Sequence, residues 1–254
     1  MQLFAAGQDV WLIFHSLSSG KGAGINLQFI ITCEHGGNEI PDQYGALFTS
    51  YKEALNSHRG YDPGALELAK IFARQLACPL YFSTTSRLLV ELNRSIGSKA
   101  LFSEITKQLP LAERNGILDK YYFPYRRAVK QEIQHAISNA KCVAHISVHS
   151  FTPIMEGEER RADIGLLYDP SRNFEKEFCQ NWRRNILKLN PEMSVRMNYP
   201  YAGKADGFTT YLRKHFTEGC YLGIELEVNQ KYPLALYRKW RELKKILTKA
   251  LYLG

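Results

Sequence analysis

From Leu27 onward, apolar runs of strand length alternate with helix-length stretches in which apolar residues return every three or four positions. That alternation is the mark of a mostly parallel sheet covered by helices. Strands are predicted at 27–33, 80–83, 88–92, 143–148, 164–168 and 221–228, each nearly continuous in apolar residues, as strands buried on both faces are. Helices are predicted at 64–76, 119–139, 173–187, 208–215 and 234–251. The fold class is therefore α/β: a single domain with a central mixed, mostly parallel sheet flanked by helices. The chain before this region reads differently. Val10 to Phe14 could form an edge strand, whereas Ser16 to Gly24 (S-L-S-S-G-K-G-A-G) has the composition of a flexible joint. Residues 1–24 are read as an N-terminal extension and 25–254 as the domain.

Composition narrows the function classes. With 254 residues, 45% of them hydrophobic, the chain can bury one large core. It has no run of about eighteen apolar residues, and Met1-Gln2-Leu3-Phe4 lacks a positive leader, so a soluble, cytoplasmic protein is expected. Five cysteines, odd in number and without a C-x-x-C pair, argue against a disulfide framework and a thiolate zinc site. The formal charge of +8 is spread through amphipathic helices, with neither a basic-aromatic stripe nor a helix-turn-helix pattern, which disfavours nucleic acid as a partner. Such a field suits a small anionic substrate.

In open α/β sheets ligands gather beyond the carboxyl ends of the strands, so polar residues just past a strand are the candidates. His35, in C-E-H-G-G-N-E-I-P, ends the first regular strand, and the glycines beside it permit a tight turn or close approach to a ligand. Asp62, in H-R-G-Y-D-P-G-A, stands at the expected helix N-cap, where its second oxygen can reach a metal; His58 and Glu39 are rivals for that role. Asn93 and Arg94 follow the predicted strand 88–92 and are shaped to clamp a carboxylate, with Arg87 either assisting or bracing Glu91 in an ion pair. His145, Ser147 and His149 share one face by the period of two, and His149 at the strand end is the natural metal ligand. Glu225 and Glu227 share a face of an apolar strand, a placement that is costly unless the carboxylates are paired, coordinated or catalytic.

These segments, together with S-R-L-L-V-E-L-N-R, H-I-S-V-H-S-F and G-I-E-L-E-V-N, resemble the N-formylglutamate amidohydrolase family and, more distantly, the zinc carboxypeptidases. The resemblance spans residues 33–229 and implies a zinc-exopeptidase-like (phosphorylase/hydrolase-like) fold. It also implies one divalent metal ion, Zn²⁺ by preference, on two histidines and one carboxylate with a position left for water. Carboxypeptidases place the ligand carboxylate three residues after the first histidine, and Asn38 stands there. The resemblance thus moves the third ligand to Asp62 or Glu39. It makes Glu225 or Glu227 the general base and N-formyl-L-glutamate the substrate, hydrolysed to formate and L-glutamate. A carboxypeptidase, another N-acyl-amino-acid amidohydrolase, and a non-catalytic carboxylate- or nucleic-acid-binding protein are the alternative readings.

Overall fold

The computed structural model describes residues 10–12, 25–139 and 141–252; the expected joint at Ser16–Gly24 lies outside the described residues. The strands are β1 (Val10–Leu12), β2 (Ile25–Cys33), β3 (Leu80–Phe82), β4 (Cys142–Phe151), β5 (Ile154–Met155), β6 (Glu158–Glu159), β7 (Ile164–Leu167), β8 (Val195–Met197) and β9 (Tyr221–Asn229). The helices are α1 (Lys52–Leu55), α2 (Ala65–Gln75), α3 (Leu111–Ile117), α4 (Phe123–Ser138), α5 (Asn173–Leu189), α6 (Phe208–Arg213), α7 (Lys231–Ala235) and α8 (Tyr237–Tyr252).

Seven strands form one sheet in the order β1-β2-β4-β9-β7-β8, with β3 also paired to β2. β1 runs antiparallel along the start of β2, and β3 runs parallel to its end. The centre is parallel: β2 pairs with β4 and β4 with β9, whereas β7 joins β9 antiparallel. The carboxyl ends of β2, β4 and β9 therefore lie side by side. This is the mixed, mostly parallel sheet that the apolar pattern predicted.

The two faces are filled by different helices. Phe29, Ile31, Ile146, Ile224 and Leu226 turn toward Phe72 of α2, Trp182 of α5 and Leu247 of α8. Ile30, Val143 and Tyr221 turn the other way, toward Ile133 of α4 and Phe208 and Leu212 of α6. The fully buried ring of Phe72 packs 6.1 Å from Trp182. Phe72→Ala should accordingly cost about 3–5 kcal/mol, read as a lower midpoint in thermal or denaturant unfolding.

The segment 88–92 departs from expectation, because it is a turn and not a strand. Its apolar residues Leu88, Leu89, Val90 and Leu92 are buried, but in a separate cluster with Tyr44, Phe48, Ile105 and Ile117. Leu89 N–H bonds to Ser86 O at 2.9 Å and Glu91 N–H to Leu101 O at 2.9 Å, so the backbone is satisfied locally without a sheet neighbour. A run of buried apolar residues has the same sequence signature in either setting.

Two further boundaries moved. The helix expected to start at Asp62-Pro63 begins at Ala65, capped by Gly64 at φ 80°, where a Cβ would stand 2.6 Å from Pro233. The segment expected at 234–251 is broken at Leu236 into α7 and α8. Among the described residues no helix is long and apolar enough to cross a membrane, and the five cysteines are free.

Candidate functional site

β2 delivers His35 just beyond its last residue. Gly36 and Gly37 then run so close to 83–84 that a Cβ on either would lie 2.8 Å from Ser83 O or 2.6 Å from Thr84 O. The two glycines thus serve close backbone approach. His35 O accepts from Asp62 N–H at 2.9 Å, which draws the start of the α2 region against the end of β2. With Gly64 at the cap, the Asp62 side chain is released from capping and turns inward.

Three atoms converge there. His35 Nδ1 lies 3.2 Å from Asp62 Oδ2, His149 Nδ1 lies 2.9 Å from the same oxygen, and the two Nδ1 atoms are 3.2 Å apart. All three residues are buried and offer ligand atoms within 4.8 Å of one another. Four ligands held tetrahedrally at about 2.0–2.1 Å stand about 3.3 Å apart, so this triangle has the size of one face of such a polyhedron. Two imidazoles and a carboxylate are also a donor set that zinc accepts. The residues fit a divalent ion.

The outer atoms of each residue are held as well. His35 Nε2 bonds to Glu91 Oε1. His149 Nε2 lies 2.8 Å from Ser147 Oγ and 3.3 Å from Glu34 Oε2; Ser147 Oγ donates to that Glu34 oxygen at 2.6 Å, and Tyr125 OH to Glu34 Oε1 at 2.9 Å. Carboxylates behind ligand histidines fix ring orientation and raise basicity. Arg87 donates from Nε to Glu91 Oε2 at 2.7 Å and from Nη1 to Asp62 Oδ1 at 3.3 Å. Its guanidinium braces two carboxylates, the ion-pair alternative weighed for it from the sequence. Glu34, Glu91, Ser147 and Tyr125 were not singled out by the sequence as site residues; the signal for the first two was a glutamate at or beside an otherwise buried apolar segment.

Charge in this cluster is unbalanced. Burial opposes ionisation of Asp62, yet His35, His149 and Arg87 hold its carboxyl well below the usual range. Burial likewise opposes ionisation of Glu34 and Glu91, and both are held low, Glu34 by His149 and Ser147 and Glu91 by Arg87 and His35. Three buried carboxylates thus face one guanidinium. His149 answers part of the excess: burial disfavours its charge, but Asp62 and Glu34 raise its pKa well above 6.5. A divalent cation at the triangle would do the same work without the proton.

The two strand glutamates differ. Glu227 pairs in register with His149 across β4 and β9, and Glu225 with Ser147, so both project from the site face. Glu225 is half-buried and accepts from Thr209 Oγ1 at 2.6 Å. Glu227 is buried, its Oε2 has no hydrogen-bond partner among the described residues, and burial pushes its pKa up to about 8. The remaining candidates sit around the same turn. Asn93 accepts from Phe208 N–H at 2.6 Å and brings Nδ2 to 3.5 Å from His149 Nε2. Arg94 is half-buried and donates from Nη1 to Asp206 O. Glu39 is exposed and bonded to Thr84, Asn38 is bonded to Asn56, and His58 is exposed; none of them joins the triangle.

A sequence profile of N-formylglutamate amidohydrolase matches residues 27–233. No curated protein matches the chain in sequence. Among solved structures, a gene product from Agrobacterium tumefaciens superposes with a TM-score of 0.73 at 26% identity, covering 88% of this chain and 90% of that one. An N-formylglutamate amidohydrolase from Ralstonia eutropha superposes with a TM-score of 0.68 at 17% identity, covering 90% and 93%, which shows a shared fold. The profile covers every residue of the triangle and both strand glutamates, and on that match the chain belongs to the N-formylglutamate amidohydrolase family.

Proposed function

We propose that this amidohydrolase cleaves the amide of an N-acyl amino acid, N-formyl-L-glutamate foremost, with one divalent ion, zinc by preference, on His35, Asp62 and His149. The observation that carries the reading is the triangle of Nδ1, Nδ1 and Oδ2 with sides of 2.9–3.2 Å, backed by carboxylates on both imidazoles. Such an ion, when bound, supplies Lewis acidity at the scissile carbonyl and makes water a nucleophile near neutral pH.

The chain's own residues divide the remaining work. Glu91 and the Glu34–Ser147 pair keep the two imidazoles aimed at the triangle, and Arg87 fixes Asp62 and Glu91 against each other. A divalent cation at the triangle would favour the ionised form of Glu227 over the protonated form that burial favours. Glu227 then takes a proton from the attacking water on its bare Oε2 and delivers it to the nitrogen as the C–N bond breaks, so that acid and amine leave in balance. Glu225, tied to Thr209, is the less suited of the two to this exchange. Asn93 and Arg94 receive the substrate's α-carboxylate, with the neighbouring Arg87 available to add positive potential.

Release of formate from N-formyl-L-glutamate by zinc-loaded protein tests the reading; failure to release it, with a peptide carboxyl-terminal residue released instead, would replace it with the carboxypeptidase alternative. Arg94→Ala should raise KM for the anionic substrate about tenfold or more while leaving a neutral formamide almost unaffected, since only the former presents a carboxylate. Steady-state kinetics on the two substrates measure the difference.

A further inference from the structure

Among the described residues, one buried guanidinium makes no contact ion pair, although the carboxylates of Glu34 and Asp206 act on it from farther away. Arg126 of α4 is 5% exposed, and among the described residues no carboxylate lies within ion-pair distance of it. Its Cζ sits 4.4 Å from the ring centres of Phe208 and Tyr211 and 5.0 Å from that of Tyr122. Nη1 donates to Leu92 O at 2.9 Å and to Arg94 O at 3.3 Å, while Nη2 is buried without a hydrogen-bond partner among the described residues. Burying a guanidinium in this way is expensive, and a chain that needed only packing would place an apolar side chain there.

What the cation holds explains the expense. Leu92 O and Arg94 O are the carbonyls on either side of Asn93. The ring it stacks on belongs to Phe208, whose N–H holds the Asn93 side-chain oxygen at 2.6 Å. Tyr122, another wall of the aromatic cage, donates its own OH to Arg94 O at 2.7 Å. Arg126 therefore fastens the backbone before and after Asn93 and the helix that fixes its side chain. Tyr125, its neighbour on α4, secures Glu34 behind His149. Nη1 alone meets both carbonyls while the flat face of the guanidinium lies against the rings, a planar stacking that a lysine ammonium does not reproduce.

We infer that Arg126 is a positioning residue for substrate binding: its guanidinium, clasping Leu92 O and Arg94 O between α4 and α6, sets the Asn93–Arg94 turn in the conformation that receives the substrate carboxylate. This rests on the carboxylate-clamp part of the proposed function. It adds a residue outside the turn on which the clamp depends, and makes α4 the support of both the metal triangle and the substrate turn.

The test uses Arg126→Lys and Arg126→Met, which keep most of the side-chain volume, in zinc-loaded full-length protein. KM for N-formyl-L-glutamate should rise roughly 10- to 100-fold while kcat stays within about threefold, metal content is unchanged and a neutral formamide is hydrolysed as before. Backbone amide exchange at residues 93–95 and at Phe208 should accelerate with protection of the central strands retained. Combined with Arg94→Ala, the Arg126→Lys effect on KM should shrink well below its value alone. Equal KM values in the two variants and the unsubstituted protein, or fully additive effects with Arg94→Ala, would overturn the inference. If the unsubstituted enzyme does not distinguish anionic from neutral substrate, the clamp reading itself fails; unchanged exchange at 93–95 would then refute the positioning role separately.

Discussion

Glu227→Gln is expected to lower kcat by about 10²–10⁴ while the protein still binds one divalent ion and unfolds at nearly the same temperature. The substitution keeps shape and removes only the ability to accept and return a proton. It acts at a carboxyl group that lies beside His149 in register and has an oxygen with no protein partner. Glu225→Gln should do much less to kcat, because the Glu225 carboxylate is already committed to Thr209 Oγ1. Kinetics and metal analysis on the two variants side by side decide the assignment. The reverse order of effects would move proton transfer to Glu225.

The second large effect concerns the metal and stability together. Zinc present at about 1,000 times its Kd should stabilise the native state by about 4 kcal/mol, a rise in Tm of roughly 10 °C for a domain of this size. Asp62→Ala and His149→Ala should abolish that rise, and Glu91→Gln should weaken zinc binding about 10- to 100-fold by freeing His35. The pH dependence follows from the shifts. Folded His149 has a raised pKa, so in the metal-free protein its contribution is fully present below about 6.5 and is lost as pH rises through the folded value. Asp62, Glu34 and Glu91 are depressed, so their contribution is present above the ordinary carboxylate range of about 4 and lost as pH falls below it. Zinc takes neutral imidazole. Its affinity should therefore rise with pH up to the folded pKa of His149, with a proton released on binding. Thermal scans across pH with and without zinc, and calorimetry in two buffers of different ionisation enthalpy, measure both effects.

How much of this was legible in the sequence depends on range. His35 and His149 were legible because each stands near the carboxyl end of a strongly apolar strand, and those ends meet at one edge of a parallel sheet. Asp62 was legible as a carboxylate at a helix start, although for a different reason from the real one, since Gly64 does the capping and leaves the side chain free. The supports behind the histidines were not legible. Glu91 reaches His35 only because 88–92 curves as a turn, and a five-residue stretch with four apolar side chains reads equally well as a strand. Glu34 and Ser147 meet across two paired strands 113 residues apart, which is a matter of register and not of local pattern. Arg126 was hidden for a related reason: in a helix rich in Lys and Arg nothing local marks the one guanidinium that points inward.

The proposed catalysis by this protein requires that the His35–Asp62–His149 triangle hold an ion. The direct measurement is formate release from N-formyl-L-glutamate by protein purified without chelator, then stripped, then reloaded with Zn²⁺, with metal content determined at each stage. One divalent ion per chain, loss of turnover on stripping and its return on reloading are the predicted results. Turnover that is equal in the stripped and loaded protein, or a protein that binds no divalent ion at any stage, would contradict the account.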